Sequence, residues 1–275
     1  MDHSKLKNFI DCIINKTFEV ITEAYPQQKE SSEQNFTAIE SARSFIIFPE
    51  KHHNDDEGPD NNSNNSDTIP EVRISEQELR FIFIEQFNKY VKKENNLFYS
   101  IETPTEKYYD FSESGSPTVV DNHKESGKGR AANIDLVIHQ KERGKIRRVA
   151  LIEFKALNPD GDNYLKDICK LKNEKYDSDC LKYFIQIIST ERRCDDLQES
   201  PTLKNICKKI KGDNNKKKTN SLLSNDKKDD YKIFYRCCNL RKKVGSQVQK
   251  VCGIIENNEL TFNKCELQST AESTK

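Results

Sequence analysis

The chain has 275 residues, and its 45 lysines and arginines are balanced by 45 aspartates and glutamates, so the formal net charge is zero. That balance excludes binding to a polyanion by global charge; any such binding must come from local charge distribution. Apolar residues make up 34 % and charged residues 33 %, polar enough that part of the chain is expected to lie outside a packed core.

Residues 4–24 read as an amphipathic helix, with Leu6, Phe9, Ile10, Ile13, Ile14, Phe18 and Ile21 at spacings of three and four. Phe45-Ile46-Ile47-Phe48 is a short apolar island, a strand or a docking segment, ending at Pro49. Residues 51–68 are dominated by His, Asn, Asp, Ser and Gly, a composition that cannot offset its ordering entropy. Residues 1–50 are therefore expected to be a helical appendage and 51–70 a flexible linker. A second helix is expected over 75–93, with Ser75 and Glu78 in a capping-box pattern and Leu79, Ile82, Phe83, Phe87, Tyr90 and Val91 as its apolar stripe.

Strands are expected at 97–101 and 106–111, then a Ser/Gly-rich loop over 112–128. Asn133–His139 and Arg148–Lys155 read as two strands joined through a turn at Gly144. Asn158-Pro159-Asp160-Gly161 is a turn, and residues 162–175 look helical. Tyr183–Ser189 reads as an apolar strand and 195–211 as a helix. A lysine-rich loop covers 211–230, Tyr231–Cys238 reads as a strand, and Val248–Ile255 with Leu260–Phe262 forms a hairpin around Asn257-Asn258. The tail from 266 to 275 is expected to be disordered. The fold class implied is α/β (α+β), a mixed sheet flanked by helices, with a core over 71–211 and the strands of 212–265 packed on it.

The nine cysteines are odd in number and include no CxxC pair, so reduced, mostly buried thiols are expected. The start, Met1-Asp2-His3-Ser4-Lys5, has no signal-peptide features, and no apolar stretch nears the ~20 residues of a membrane span. These features predict a cytoplasmic protein with no membrane partner.

The chemistry is concentrated in the two central strands. In Asn133–His139, period-two alternation places Asp135 opposite Ile134, Leu136 and Ile138. In Val149–Lys155, Glu153 and Lys155 share one face while Ala150, Ile152 and Phe154 take the other. Charges inside a buried strand are costly unless matched. Two acids and a lysine together point to a divalent-metal site, because Mg²⁺ takes carboxylate oxygens and keeps waters that a lysine could orient.

Asp135, seventeen residues, then Glu153-Phe154-Lys155 resembles the PD-(D/E)xK signature of restriction-endonuclease-like nucleases. The likeness spans residues 74–190, and the expected element order matches that family's αβββαβ core. It departs from the strict pattern at Ile134, where the signature has proline. The resemblance implies that Asp135 and Glu153 hold Mg²⁺ (or Mn²⁺), helped by Glu78 and the Phe154 carbonyl, with Lys155 positioning water. Glu78 is preferred to Glu76 because Glu76 can pair with Arg80 at i+4. Gln186 matches a glutamine that many members carry after the ExK strand.

Other residues carry a functional reading beside an ordinary one. Arg130, between glycines and the Asp135 strand, is a phosphate contact or part of a solvated turn. Lys166 and Lys170 track a nucleic-acid backbone or form a solvated helix face. His139 assists proton transfer or is structural. Lys208 and Lys209 belong to the basic stretch 204–218, which holds a polyanion or solubilises a loop. The implied function is a metal-dependent endonuclease acting on nucleic acid, DNA first, in restriction or phage defence. The alternative is a non-catalytic nucleic-acid- or protein-binding module that keeps the fold. Phe9, Ile13 and Phe18 on the first helix could also dock a protein partner or a second copy.

Overall fold

The computed structural model describes residues 1–24, 74–111, 117–120, 127, 129–156, 163–174, 179–189, 198, 200–211, 231–240 and 250–263. The apolar island at 45–48, the linker, most of the lysine-rich stretch and the tail lie outside the described residues.

One sheet organises the fold. Its strands are β1 (Leu97–Asp110), β2 (Thr118–Val120), β3 (Arg130–Glu142), β4 (Lys145–Lys155), β5 (Leu181–Ile188), β6 (Ile233–Asn239), β7 (Lys250–Glu256) and β8 (Glu259–Asn263). They lie in the order β2-β1-β3-β4-β5-β6-β7-β8. The β4–β5 and β5–β6 pairs are parallel, and the other pairs are antiparallel. The helices are α1 (His3–Ala24), α2 (Glu76–Tyr90), α3 (Asn163–Asn173) and α4 (Pro201–Lys211). The strands of 212–265 therefore continue the same sheet rather than packing on it.

Each sheet face has its own apolar layer. Leu136, Ile138, Ala150, Ile152, Phe154, Tyr183 and Ile185 pack with α1 and α2. Val137, Leu151, Phe184, Ile188 and Tyr235 pack with α3 and α4. β5 and β6 are buried on both faces, which is why they read as continuous apolar runs. Ile134 departs from the expected alternation and packs in the α3 layer with Val137.

The first helix is part of the core, not an appendage. Ile10, Ile13, Ile14, Phe18 and Ile21 are fully buried. Its polar Thr17 and Thr22 donate to the carbonyls of Ile13 and Phe18 one turn back, so their burial leaves no hydroxyl unmet. The helix lies across the parallel strands: Asp11 Oδ1 receives Arg236 Nε and Nη2 at 2.9 Å, and the Tyr183 hydroxyl donates to the Lys7 carbonyl at 3.4 Å. Ile13 and Phe18, expected to face a partner, are thus enclosed by the chain itself, and Phe9 stacks edge-on against Phe87.

Local chemistry explains the strand boundaries. Arg143 and Gly144 both have positive φ, giving the tight turn from β3 to β4. Asn257 and Asn258, at φ 51 and 57, make the expected hairpin between β7 and β8. The two strands expected over 97–111 are one, broken by a register shift between Pro104 and Tyr108. There the buried Glu174 carboxylate accepts the Glu106 and Lys107 N–H groups, at 2.9 and 3.1 Å, which compensates for lost ladder bonds. The helix expected from 195 begins at Pro201, whose fixed φ suits a first turn, with the Ser200 hydroxyl accepting the Leu203 N–H. Of the thiols expected to be reduced, Cys12, Cys169, Cys180, Cys207, Cys237 and Cys238 form no disulfide, but Cys252 is disulfide-bonded.

Candidate functional site

The site begins where β3 and β4 part. Their register ends at Leu136 opposite Ile152. One residue further on, Asp135 Oδ2 accepts the Phe154 N–H at 2.8 Å. The carboxylate takes over the role of a ladder carbonyl, so the main chain of Phe154 is tied to the side chain of Asp135. On β1, the register places Glu102 across from Asp135, and Glu102 has φ 47, a left-handed conformation costly for a side chain with a Cβ.

Beyond that point, Glu153 and Lys155 point to the α3 side while Phe154 packs on Phe83 on the other side, ring centroids 5.5 Å apart. The face assignment made from alternation along β4 therefore agrees with the packing. Helix α3 supplies two further charges. Lys170 Nζ is 2.7 Å from Glu153 Oε1 and 2.8 Å from Asp167 Oδ1, and it donates to the Asn133 carbonyl at 2.8 Å. Those three oxygens match the three donors of an ammonium. Asp167 Oδ2 in turn stands 2.8 Å from Lys155 Nζ.

The start of α2 closes the network from the other side. Glu76 Oε1 accepts from Lys155 Nζ at 2.8 Å. Arg80 is buried, donates to Glu102, Gln77 and the Asp135 carbonyl, and has Asp135 Oδ1 at 3.9 Å. The expected Glu76–Arg80 pairing does not form. Glu78 instead turns back to its own helix start, accepting the Ser75 N–H at 2.7 Å. The capping box is real, and it uses the carboxylate that had been assigned to the metal; Glu76 is the one that reaches the site.

Burial sets the electrostatics. Desolvation raises the Glu153 pKa well above the usual carboxylate range, and the neighbouring Asp167 and Asp135 charges raise it further against the pull of Lys170. Desolvation also raises Asp135, opposed by the Phe154 N–H. For Lys155 burial works against the charge, but Asp167 and Glu76 outweigh it and hold the ammonium above its ordinary value. Lys170 is held up likewise by Glu153 and Asp167. Burial thus disfavours the charged form of Glu153 and Asp135, while the acids around them favour the charged form of both lysines.

The remaining expected residues are scattered around this network. Gln186 pairs in register with Lys155, but it is fully buried and its Oε1 accepts the Tyr235 hydroxyl at 2.8 Å, so it has no surface for nucleic acid. Lys170 is likewise buried on carboxylates, not on a solvated face. Arg130 is exposed and Lys166 partly so, and both line a cleft beside Asp167. Lys208 is exposed and Lys209 half-buried on α4, which is not among the elements that build the network. His139 Nε2 is 2.7 Å from the Ser100 hydroxyl, a structural contact. Sequence reasoning missed Asp167. Its one signal was the opposite charge at Lys170, three residues on, in the helix that follows the ExK strand.

Asp135, Glu153 and the Phe154 carbonyl supply only hard oxygen donors, which suits Mg²⁺. The Glu153 carboxyl is buried, meets Lys170 at Oε1 and lies within side-chain hydrogen-bonding reach of Asp135, so two carboxyl groups converge at this point. Among the described residues no three His, Cys, Asp or Glu side chains converge as a metal-binding group; an ammonium stands between Glu153 and Asp167. No protein-family model matches the chain, and no curated protein or solved structure does.

Proposed function

We propose that this protein is a Mg²⁺-dependent nuclease that hydrolyses phosphodiester bonds of nucleic acid, DNA first. The observation that carries the reading is the splay of β3 from β4. It brings Asp135, the fully buried Glu153 and Lys155 to one sheet end, with Asp135 bonded to the Phe154 N–H. Buried acids are costly to a fold and common at sites of charge chemistry.

In this reading Asp135, Glu153 and the Phe154 carbonyl would hold Mg²⁺. The ion would supply Lewis acidity toward the phosphate and positive charge beside the acids. Lys155, fixed between Asp167 and Glu76, orients the attacking water and offers its ammonium to the developing negative charge. Asp135 holds the Phe154 peptide in place, and Asp167 keeps both lysines protonated and aimed. Catalysis is then positioning plus charge stabilisation.

One observation favours a second reading. Lys170 and Lys155 already pair with the acids, an arrangement a non-catalytic binding module could retain without metal. Purified protein should be incubated with circular and linear duplex DNA, single-stranded DNA and RNA, with Mg²⁺ or Mn²⁺, beside a Glu153→Ala, Lys155→Ala double variant. Cleavage by wild type alone, abolished by EDTA, supports the nuclease. Metal-independent binding without cleavage moves the assignment to the binding module.

A further inference from the structure

A cleft of about 350 Å³ lies against the network, lined by Phe111, Arg130, Asn133, Lys166, Asp167 and Lys170 with two alanines between them. It shares Asp167 and Lys170 with the charged cluster, and Asn133 is two residues before Asp135 on β3. Three of its lining side chains are cationic and one is acidic. Asp167 is already matched by Lys155 and Lys170. Arg130 and Lys166 have no ion-pair partner among the described residues. The Arg130 guanidinium rests 5.2 Å from the centre of the Phe111 ring, a stacking that limits its freedom. Among the described residues, two cations at the walls of one concave space thus have no acidic partner.

We propose that this cleft binds one nucleoside phosphate, with the phosphate on Arg130 and Lys166. The inference rests on the nuclease reading for its purpose: a nucleotide held here lies beside the phosphodiester presented to Asp135 and Glu153. Charge selects an anion, and guanidinium and ammonium groups are the ordinary contacts of phosphate oxygens. Size selects one unit, since the volume falls at the low end of small-ligand pockets. An unpaired nucleotide can present its phosphate and base to a cleft of this size without the cost of unstacking, so the substrate favoured is an unpaired stretch of strand rather than intact duplex.

The test is fluorescence polarisation in EDTA, so that no turnover contributes, using a labelled single-stranded oligonucleotide and a duplex of equal length. Wild type is expected to bind the single strand at least about tenfold more tightly than the duplex. Arg130→Ala with Lys166→Ala should weaken single-strand binding about tenfold or more. It should also reduce the slope of log affinity against log salt by about 1.4, two contacts at about 0.7 each. Its melting temperature should match wild type, as these side chains are not core. Lys92→Ala with Lys93→Ala, both exposed just past the end of α2, is the control and should bind as wild type. Unlabelled deoxyadenosine monophosphate separates the sources of the ligand: competition at concentrations near the oligonucleotide's own assigns the cleft to free nucleotides, and weak competition assigns it to a strand. Unchanged binding by the Arg130, Lys166 double variant, or equal affinity for duplex, overturns the proposal. Wild-type cleavage with unchanged binding by that variant removes the cleft and leaves the nuclease. Lost binding by the variant, with no cleavage by wild type, does the reverse.

Discussion

Glu76 Oε1 lies 2.8 Å from Lys155 Nζ although 79 positions separate them in sequence. The contact joins the first turn of α2 to the last residue of β4, and Asp167 grips the same ammonium from α3 at the same distance. Three elements therefore fix one nitrogen.

The two glutamates at the start of α2 should separate cleanly. On the nuclease reading proposed above, Glu76→Ala frees one side of Lys155 and is expected to lower kcat about tenfold, with KM little changed. Glu78→Ala removes the capping contact to Ser75 and should cost about 1 kcal/mol of stability with kcat unchanged. Steady-state cleavage and urea melts on both variants check this; a kcat loss confined to Glu78→Ala would restore the assignment made from sequence.

Asp167 neutralises two buried lysines at once. Asp167→Asn should destabilise the protein by about 1–3 kcal/mol, less than stranding a buried charge would cost, because Lys155 keeps Glu76 and Lys170 keeps Glu153. Lys170→Met should cost less in the Asp167→Asn background than alone, because the Lys170–Asp167 pair is already gone there. Chemical denaturation of the two single variants and the double measures the coupling, and additive losses would show that Asp167 and Lys170 do not act as a pair.

The place of α1 in the core has a direct consequence. Ile13→Ala is expected to cost about 2–5 kcal/mol, the range for truncating a fully buried aliphatic side chain. Removing residues 1–24 should unfold the rest, as seen by loss of the near-ultraviolet circular dichroism signal. A truncated chain that stays folded and loses only self-association would identify α1 as a docking element after all.

His139 gives a pH dependence of known sign. Burial, then the Arg148 charge, lowers its pKa below the ordinary 6.5. Below pH 6.5 the unfolded chain takes up a proton that the folded chain refuses, so the stabilisation is present above 6.5 and is lost as the pH falls through the lowered folded value. Melting temperatures from pH 8 to 5 should show this decline in wild type and a shallower one in His139→Gln. Identical curves would mean that the acidic loss comes from other groups.

Much of this was readable from the residues. Alternation along Val149–Lys155 put Glu153 and Lys155 on one face, and the asparagine pair at 257–258 announced a turn that only residues tolerant of positive φ make easily. What stayed hidden depended on distance. Asp167 and Lys170 look like solvated helix charges until β4 is seen to present its own charges to them. The Glu76–Arg80 spacing is right for an ion pair, but Arg80 has better partners in Glu102 and Asp135, which no local rule reveals. The long polar stretch after residue 24 made α1 look detached, whereas the buried Arg236 holds it by Asp11.

That last contact spans 225 positions and governs how the protein is made. Synthesis runs from the N-terminus, so Ile10, Ile13, Phe18 and Ile21 leave the ribosome long before the strand that bears Arg236. Until β3, β4 and β5 follow, the first helix is an apolar stripe with only α2 to lie against. Contacts this remote in sequence form slowly, since a large loop must close before they can reward it. A nascent chain halted before β5 is therefore sticky, and its expression should depend on chaperones and on temperature more than the finished protein's stability would indicate.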